Sequence, residues 1–547
     1  MFRHTPRDES VDPLAVVGPH HDELTLPVAD GVDDRLAGLS LGGDPSHRDG
    51  LVDTVGDGLE DGLRCSRLAG GLPGRAVRID HVQGQQFRVQ CGRETAGVVD
   101  DRVHVAVTGD REEDALVLHR VSESRQRRVN SWCFDSATVG RVGTRTFRRA
   151  GVVRSCMQLL VCRGGTVADA DGTVTADVAV DTDAGEIVAV GDTSAAVEAA
   201  TTVTELDASG QFVAPGLIDA HVHLQMDARP DTATNRHEPR DSLVFTAAAN
   251  LRAAVEAGVT TVRDLGAAGA VAIQAGEAVA DGRLVGPRVL ACGQAITMTG
   301  GHGHWSGREA DGEREVRKAA REQLKRGADV VKCMATGGVL TAGAQTGSTE
   351  LTPAELDALV DAASAKGVPT AAHAHGKRGI VDASEAGITS VEHGTYMDRE
   401  AAATMADNGT YWVPTASALH GIVDGDGGIP AEAVAKAEDA LAAFASSFDH
   451  ARAEGVDIAM GTDAGTPFNE IGDVPQELGY MVDYGVEPAA AFEAATVTAA
   501  ALCGLDDVGL IEAGYAADLV VLPENPREEP TAYESPTAVV ADGDRVV

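Results

Sequence analysis

The sequence predicts an α/β protein: a (β/α)8 TIM barrel carrying a small β-sandwich domain formed by segments before and after the barrel, with an N-terminal extension expected to be disordered. Three observations carry this reading. Residues 214–505 repeat one theme, a short β-rich run, a polar turn and an amphipathic stretch rich in Ala and Glu, which is the pattern of successive βα units. Short apolar runs divided by Asp and Gly stand on both sides of that block. Residues 1–156 show neither pattern and differ in charge, with 21 Arg, no Lys and 24 Asp+Glu for a net of −3, whereas the other 391 residues carry −36.

Within residues 1–156, Gly, Asp and Arg interrupt every apolar run, so no helical or alternating period is sustained. The run at 103–107 is the best strand candidate there. The segment reads either as an accessory extension or as an over-extended reading frame with translation beginning at Met157, and the break in charge favours the second. From Met157, runs at 159–162, 178–180 and 187–190 suggest a small sheet, and runs at 517–522 and 538–541 answer them. Residues 157–213 and 506–547 are therefore expected to form one composite β domain. Between them, strands are expected at 217–220, 260–263, 288–291, 329–332, 370–373, 390–393, 411–414 and 458–461. The clearest helix start is Thr352-Pro353-Ala354-Glu355, a capping box with Pro at the first helical position. In such a barrel the active site lies at the C-terminal ends of the strands.

Composition narrows the function. The chain holds 45 Lys+Arg, only six of them Lys, against 84 Asp+Glu, for a net of −39. That excess repels phosphate and argues against a nucleic-acid partner, while an acidic, Lys-poor surface suits concentrated salt, so a halophilic cell is expected. Eight cysteines without a CxxC pair, and no apolar leader after Met1, point to a reducing cytoplasm. Every window of about 18 residues carries charge, so no membrane span is expected. A homo-oligomer is compatible with all of this.

The expected strand ends carry the chemistry. His221-Val222-His223 follows the first strand, and period-two alternation sends both imidazoles to one side. His373 ends the fifth strand in Ala371-Ala372-His373-Ala374-His375-Gly376, His393 ends the sixth in Val391-Glu392-His393-Gly394, and Asp463 follows the eighth in Gly461-Thr462-Asp463-Ala464-Gly465. An isolated HxH says little, but four histidines and an aspartate at one barrel mouth are the ligand types a divalent transition metal prefers. Lys332 closes the fourth strand in Val330-Val331-Lys332-Cys333. An inward lysine is costly unless paired, yet beside two cations its neutral amine can take up carbon dioxide to form a carbamate. His302, His304 and Trp305 after the third strand, Arg263 after the second and Tyr396 after the sixth are candidate substrate contacts, with exposed loop histidines and a structural Arg263–Asp264 ion pair as the plain alternatives.

Taken together these residues resemble the metal-dependent amidohydrolase superfamily, in its binuclear branch. The resemblance spans Met157 to Val547 and includes Val213-Ala214-Pro215-Gly216-Leu217-Ile218-Asp219 before the HxH and residues 509–522 near the end. Residues 299–304, 331–338 and 391–396 are most similar to imidazolonepropionase-like and Xaa-Pro dipeptidase-like members. Imidazolonepropionase itself is mononuclear, so Lys332 argues against that activity. The resemblance implies two divalent metals, zinc the expected ion, with His221, His223 and Asp463 on the first and His373 and His393 on the second. Carboxylated Lys332 and a hydroxide then lie between the two. It also implies that Asp463 is the catalytic acid/base. His375 competes with His373, and the spacing to His393 favours His373. The expected function is hydrolysis of a C–N bond in a small N-acyl or dipeptide-like amide, Xaa-Pro dipeptides being one case. A cyclic-amide hydrolase or deaminase is the enzymatic alternative, and a non-catalytic small-molecule-binding barrel the alternative of another class.

Overall fold

The computed structural model describes residues 157–230 and 237–547 and, upstream, the backbone of four strands. The chain divides into two units, residues 1–126 and 127–547. In the first, strands Arg75–Val82, Gln86–Arg93, Arg102–Ala106 and Val117–Arg120 pair antiparallel in that order. The run at 103–107 falls on the third of these. The other expectations for residues 1–156 lie outside the described residues.

In the second unit, one four-stranded sheet is built from Gln158–Arg163, Asp177–Asp181, Glu186–Gly191 and Thr202–Asp207. A six-stranded sheet joins the two ends of the unit, because Phe212–Pro215 pairs antiparallel with Leu519–Leu522 and parallel with Thr166–Asp169. The inner faces meet in one apolar cluster in which Leu160, Cys162, Val180 and Ile187 pack with Leu519, Val521 and Val540. Alternation of apolar and polar residues along these short strands buries one face of each sheet, which fixes their register.

The remainder is TIM-barrel-like. Its strands are β1 (Leu217–Val222), β2 (Val259–Asp264), β3 (Arg288–Ala291), β4 (Val331–Met334), β5 (Thr370–Gly376), β6 (Ser390–Tyr396) and β7 (Tyr411–Val413). β1 to β3 form one parallel ladder and β4 to β7 another. Between β3 and β4 the Asp329 N–H donates to the Ala291 carbonyl at 2.9 Å. β1, β2, β4 and β5 are buried along their whole length, as parallel strands covered on both faces must be. The capping box forms as expected: Glu355 N–H donates to Thr352 Oγ1 at 3.4 Å and Thr352 N–H to Glu355 Oε2 at 2.8 Å.

One expected strand is not regular. Residues 458–461 make a single parallel bridge, Ile458 to Trp412, and no ladder. They still run between β7 and β1, with Ala459 N–H donating to the Trp412 carbonyl at 2.9 Å and Ala220 N–H to the Met460 carbonyl at 3.1 Å. The end of the segment is tightly packed: a Cβ on Gly461 would stand 2.6 Å from a Val413 methyl and 2.9 Å from the His221 backbone nitrogen. Two residues later Asp463 takes a left-handed conformation, φ 57°, which ends any strand.

Candidate metal centre

The C-terminal ends of these strands bring the six expected ligands together. His221 is buried, and its Nδ1 lies 2.9 Å from Glu392 Oε2. The Nδ1 of His223 lies 3.0 Å from the Gly266 carbonyl oxygen. A carboxylate and a carbonyl only accept, so both Nδ1 atoms carry a proton; burial keeps His221 neutral with a lone pair on Nε2, whereas at His223 the Asp463 carboxylate outweighs burial and raises the imidazole. Both Nε2 atoms face Asp463 Oδ1, at 3.3 Å from His221 and 3.0 Å from His223. Oδ1 is buried and has no hydrogen-bond partner. Electron-rich atoms converging in a dry site are costly unless a proton or a metal ion joins them.

On the other side, His373, His375 and His393 place one ring nitrogen each within 4.8 Å of one another, and a ring nitrogen each of His221 and His393 and a carboxylate oxygen of Asp463 form a second group of the same size. His393 thus belongs to both groups. Its Nδ1 is 2.7 Å from Thr415 Oγ1, and that hydroxyl gives its only proton to the Pro414 carbonyl at 2.6 Å. The hydroxyl must therefore accept from His393, which leaves His393 Nε2 as a lone pair. His375 Nδ1 lies 2.7 Å from Thr395 Oγ1, while His373 turns Nε2 toward the Gly337 carbonyl at 3.3 Å. Both are present, so the structure does not select His373 over His375. Burial pushes the imidazoles of His221 down to about 4 and His375 down to about 3, and those of His373 and His393 well below their ordinary range. Neighbouring cations and imidazoles add to the effect. They are neutral, as metal ligands must be.

Lys332 is 2% exposed and lines the same cavity. Burial drives its amine below the usual lysine range, with Glu392 and Asp463 opposing. Among the described residues no carboxylate lies at ion-pair distance from it. The donor set therefore fits divalent metal: neutral imidazoles with assigned lone pairs, an orphaned carboxylate oxygen and an amine pressed toward its neutral form.

The cavity above the cluster has a volume of about 340 Å³, and His302, Trp305, Met226, Leu243, Leu419 and Ile422 are among its walls. Of the five expected substrate contacts, His302 and Trp305 line it. Arg263 is a correction: it is 1% exposed and lies among the barrel strands, donating to the Ala220 carbonyl at 2.6 Å, Ser390 Oγ at 3.1 Å and Glu392 Oε1 at 3.1 Å. Its ion-pair partner is Glu392, not Asp264. His304 and Tyr396 do not border the cavity. His304 Nδ1 is 3.0 Å from the Gly301 carbonyl, and its ring stands edge-on to Trp305. Glu392 and Thr415 are the contributors the sequence reading missed. Glu392 stands beside His393, and strict alternation would separate their faces. His393 breaks the alternation with φ 70° and Gly394 continues the break with φ 59°, so both side chains reach the barrel interior.

A TIM-barrel-like α/β fold with histidines, a lysine and an aspartate gathered at its strand ends defines a class of hydrolases. Residues 212–546 match the model of the Amidohydrolase family, and the chain belongs to that family. It is a hydrolase acting on C–N bonds. It is 32% identical over 356 residues to ochratoxinase of Aspergillus niger, covering 59% of this chain and 73% of that protein. It is also 29% identical over 399 residues to a 5-methylthioadenosine/S-adenosylhomocysteine deaminase of Halobacterium salinarum, covering 66% of this chain and 83% of that one. The crystal structure of a Xaa-Pro dipeptidase with bound methionine in the active site superimposes with a TM-score of 0.64 at 32% identity, covering 71% of this chain and 99% of that one. Among the described residues no helix is long and apolar enough to cross a membrane.

Proposed function

We propose that this chain is a binuclear, cytoplasmic metallohydrolase that cleaves the amide bond of small N-acyl amino acids or Xaa-Pro-like dipeptides at the mouth of a closed (β/α)8 barrel. In this reading residues 214–505 form the barrel, and residues 157–213 with 506–547 form the composite β domain. The observation that carries it is the convergence of His221 Nε2 and His223 Nε2 on Asp463 Oδ1 at 3.3 and 3.0 Å, where Oδ1 has no hydrogen bond. His221, His223 and Asp463 would hold one ion and His373 and His393 the other, with His375 as the second candidate beside His373. Divalent ions, zinc the expected one, supply Lewis acidity and a hydroxide at neutral pH.

The side chains do the rest. The neutral amine of Lys332 adds to carbon dioxide and releases a proton, and the anionic carbamate so formed lies between the two ligand groups. Asp463 takes the proton that the attacking water loses and returns it to the leaving amine nitrogen. His302 binds the substrate from the cavity wall, and the apolar wall keeps bulk water from the amide. The likeness to the dipeptidase and to ochratoxinase supports an amide substrate, and the likeness to the deaminase brings ring amidines into the test.

That test is a panel of N-acyl amino acids, Xaa-Pro dipeptides, lactams, esters and adenine nucleosides, with the zinc-loaded chain in high salt. Release of free amino acid from the linear amides, with two equivalents of bound metal, is expected. Ammonia from the nucleosides alone would make it a deaminase. A metal-loaded protein inert on the whole panel would make it a binding barrel.

A further inference from the structure

Glu477 is fully buried in helix Val474–Asp483 and touches neither the cavity nor the ligand histidines. Its Oε1 accepts from the Ala416 N–H at 2.9 Å and its Oε2 from the Ser417 N–H at 2.7 Å. These residues open helix Ala416–Asp424. A helix start leaves its first N–H groups unsatisfied, and a Ser, Thr, Asn or Asp just before it ordinarily accepts from them. Thr415 stands at that position and is the right type of residue. It does not cap: its backbone is left-handed at φ 60°, ψ 47°, and its hydroxyl is committed to Pro414 and His393. A carboxylate from another helix therefore satisfies the helix start and leaves the Thr415 hydroxyl available to His393. The same helix sends Ala418, Leu419 and Ile422 into the cavity wall.

We propose that Glu477 is a positioning residue that fixes helix Ala416–Asp424 from outside the cavity. So fixed, Thr415 holds His393 in its metal-binding tautomer, and Leu419 and Ile422 form a wall that selects substrates with an apolar group beside the scissile amide. The selectivity half rests on the amidase reading above, and the positioning half does not. Removing the carboxylate exposes two buried N–H groups to nothing, and the helix relieves this by shifting or fraying. Both the His393 contact and the apolar wall then move together.

The experiment compares the full zinc-loaded chain with Glu477→Ala, Glu477→Gln and Thr415→Val. Three quantities are read: hydrogen exchange across residues 415–424, bound metal per chain, and kcat/KM for N-acetylleucine against N-acetylglycine. Glu477→Ala should speed exchange in that helix alone, weaken metal binding about tenfold or more, as loss of an outer partner of a ligand does, and shrink the preference for leucine mainly through KM. Glu477→Gln, which keeps one acceptor oxygen, should recover part of each effect. Thr415→Val should weaken metal binding and keep the preference for leucine. Unchanged exchange and metal binding in Glu477→Ala overturns the proposal, as does a loss spread evenly over the protein and both substrates. If Glu477→Ala does not fold, the Gln variant decides by the same readings. If the wild type hydrolyses neither amide, the proposed function fails while exchange and metal content still judge Glu477.

Discussion

Glu392 holds His221 from behind, accepting its Nδ1 proton at 2.9 Å while pairing with the guanidinium of Arg263 at 3.1 Å. All three groups are buried. Replacing Glu392 by Gln leaves the Arg263 charge without its partner, a change that destabilises by about 3–5 kcal/mol in buried pairs. It also weakens metal binding roughly 10–100-fold by freeing the His221 ring. Burial alone would push the Glu392 carboxyl up, but Arg263 and the His221 N–H outweigh it and hold it down at about 2 against an ordinary 4.5. A lowered acid contributes stability that is present above its ordinary value and lost as pH falls through its folded one. The Tm gap between wild type and Glu392→Gln should therefore be widest above pH 4.5 and close toward pH 2. A gap that ignores pH in this window would refute the assignment.

Lys332→Ala should bind little metal and lose nearly all activity, because the anion assigned to its carbamate between the two ligand groups is gone. Added acetate or propionate should restore part of both by occupying the vacated space. Wild-type metal content in the variant, read by atomic absorption, would remove the carbamate from the mechanism.

Asp463→Asn should lower kcat by about 10²–10⁴ with a smaller change in KM, since an amide cannot accept the proton of the attacking water. Steady-state kinetics on the best amide of the panel decides this. Equal losses in metal content and turnover would reduce Asp463 to a ligand.

Glu477 makes a pH-dependent prediction of the opposite sign. Burial pushes its carboxyl up from 4.5 to about 7, with the Ser417 and Ala416 N–H groups opposing and the Asp219 carboxylate adding to the rise. A raised acid contributes stability that is full below its ordinary value and lost as pH rises through its folded one. Between pH 4.5 and 7 the wild type should lose up to about 3 kcal/mol relative to Glu477→Gln, which has nothing there to titrate. Denaturant melts of the two proteins across this range measure it.

A chain beginning at Met157 should bind metal and hydrolyse the same amides as the full chain, because among the described residues no ligand or cavity residue lies before His221. Its metal stoichiometry and kcat/KM check this. An insoluble or inactive short chain would show that the upstream residues are a working part of the protein.

The sequence made the gathering of His221, His223, Lys332, His373, His393 and Asp463 legible because each stands at the end of an apolar run, where a strand stops. It made seven of the eight strands legible for the same reason. Residues 458–461 do not form a ladder strand, and their tight packing at Gly461 is against His221 and Val413, far away in sequence. Arg263 was misread on similar grounds. A strand-end arginine looks like a mouth residue until its partner is known, and Glu392 lies 129 positions away. Nor could local pattern show that His393 has φ 70°, which puts it and Glu392 in the same interior.

The pairing of Phe212–Pro215 with Leu519–Leu522 bears on how the chain folds during synthesis. At about 5–20 residues per second, the ribosome needs roughly 15–60 seconds to make the stretch between these partners. Throughout that interval Phe212–Pro215 has Thr166–Asp169 on one side and an open edge on the other. Such an edge recruits foreign strands, so aggregation of nascent or truncated chains should begin there, and release of the last residues should end the hazard.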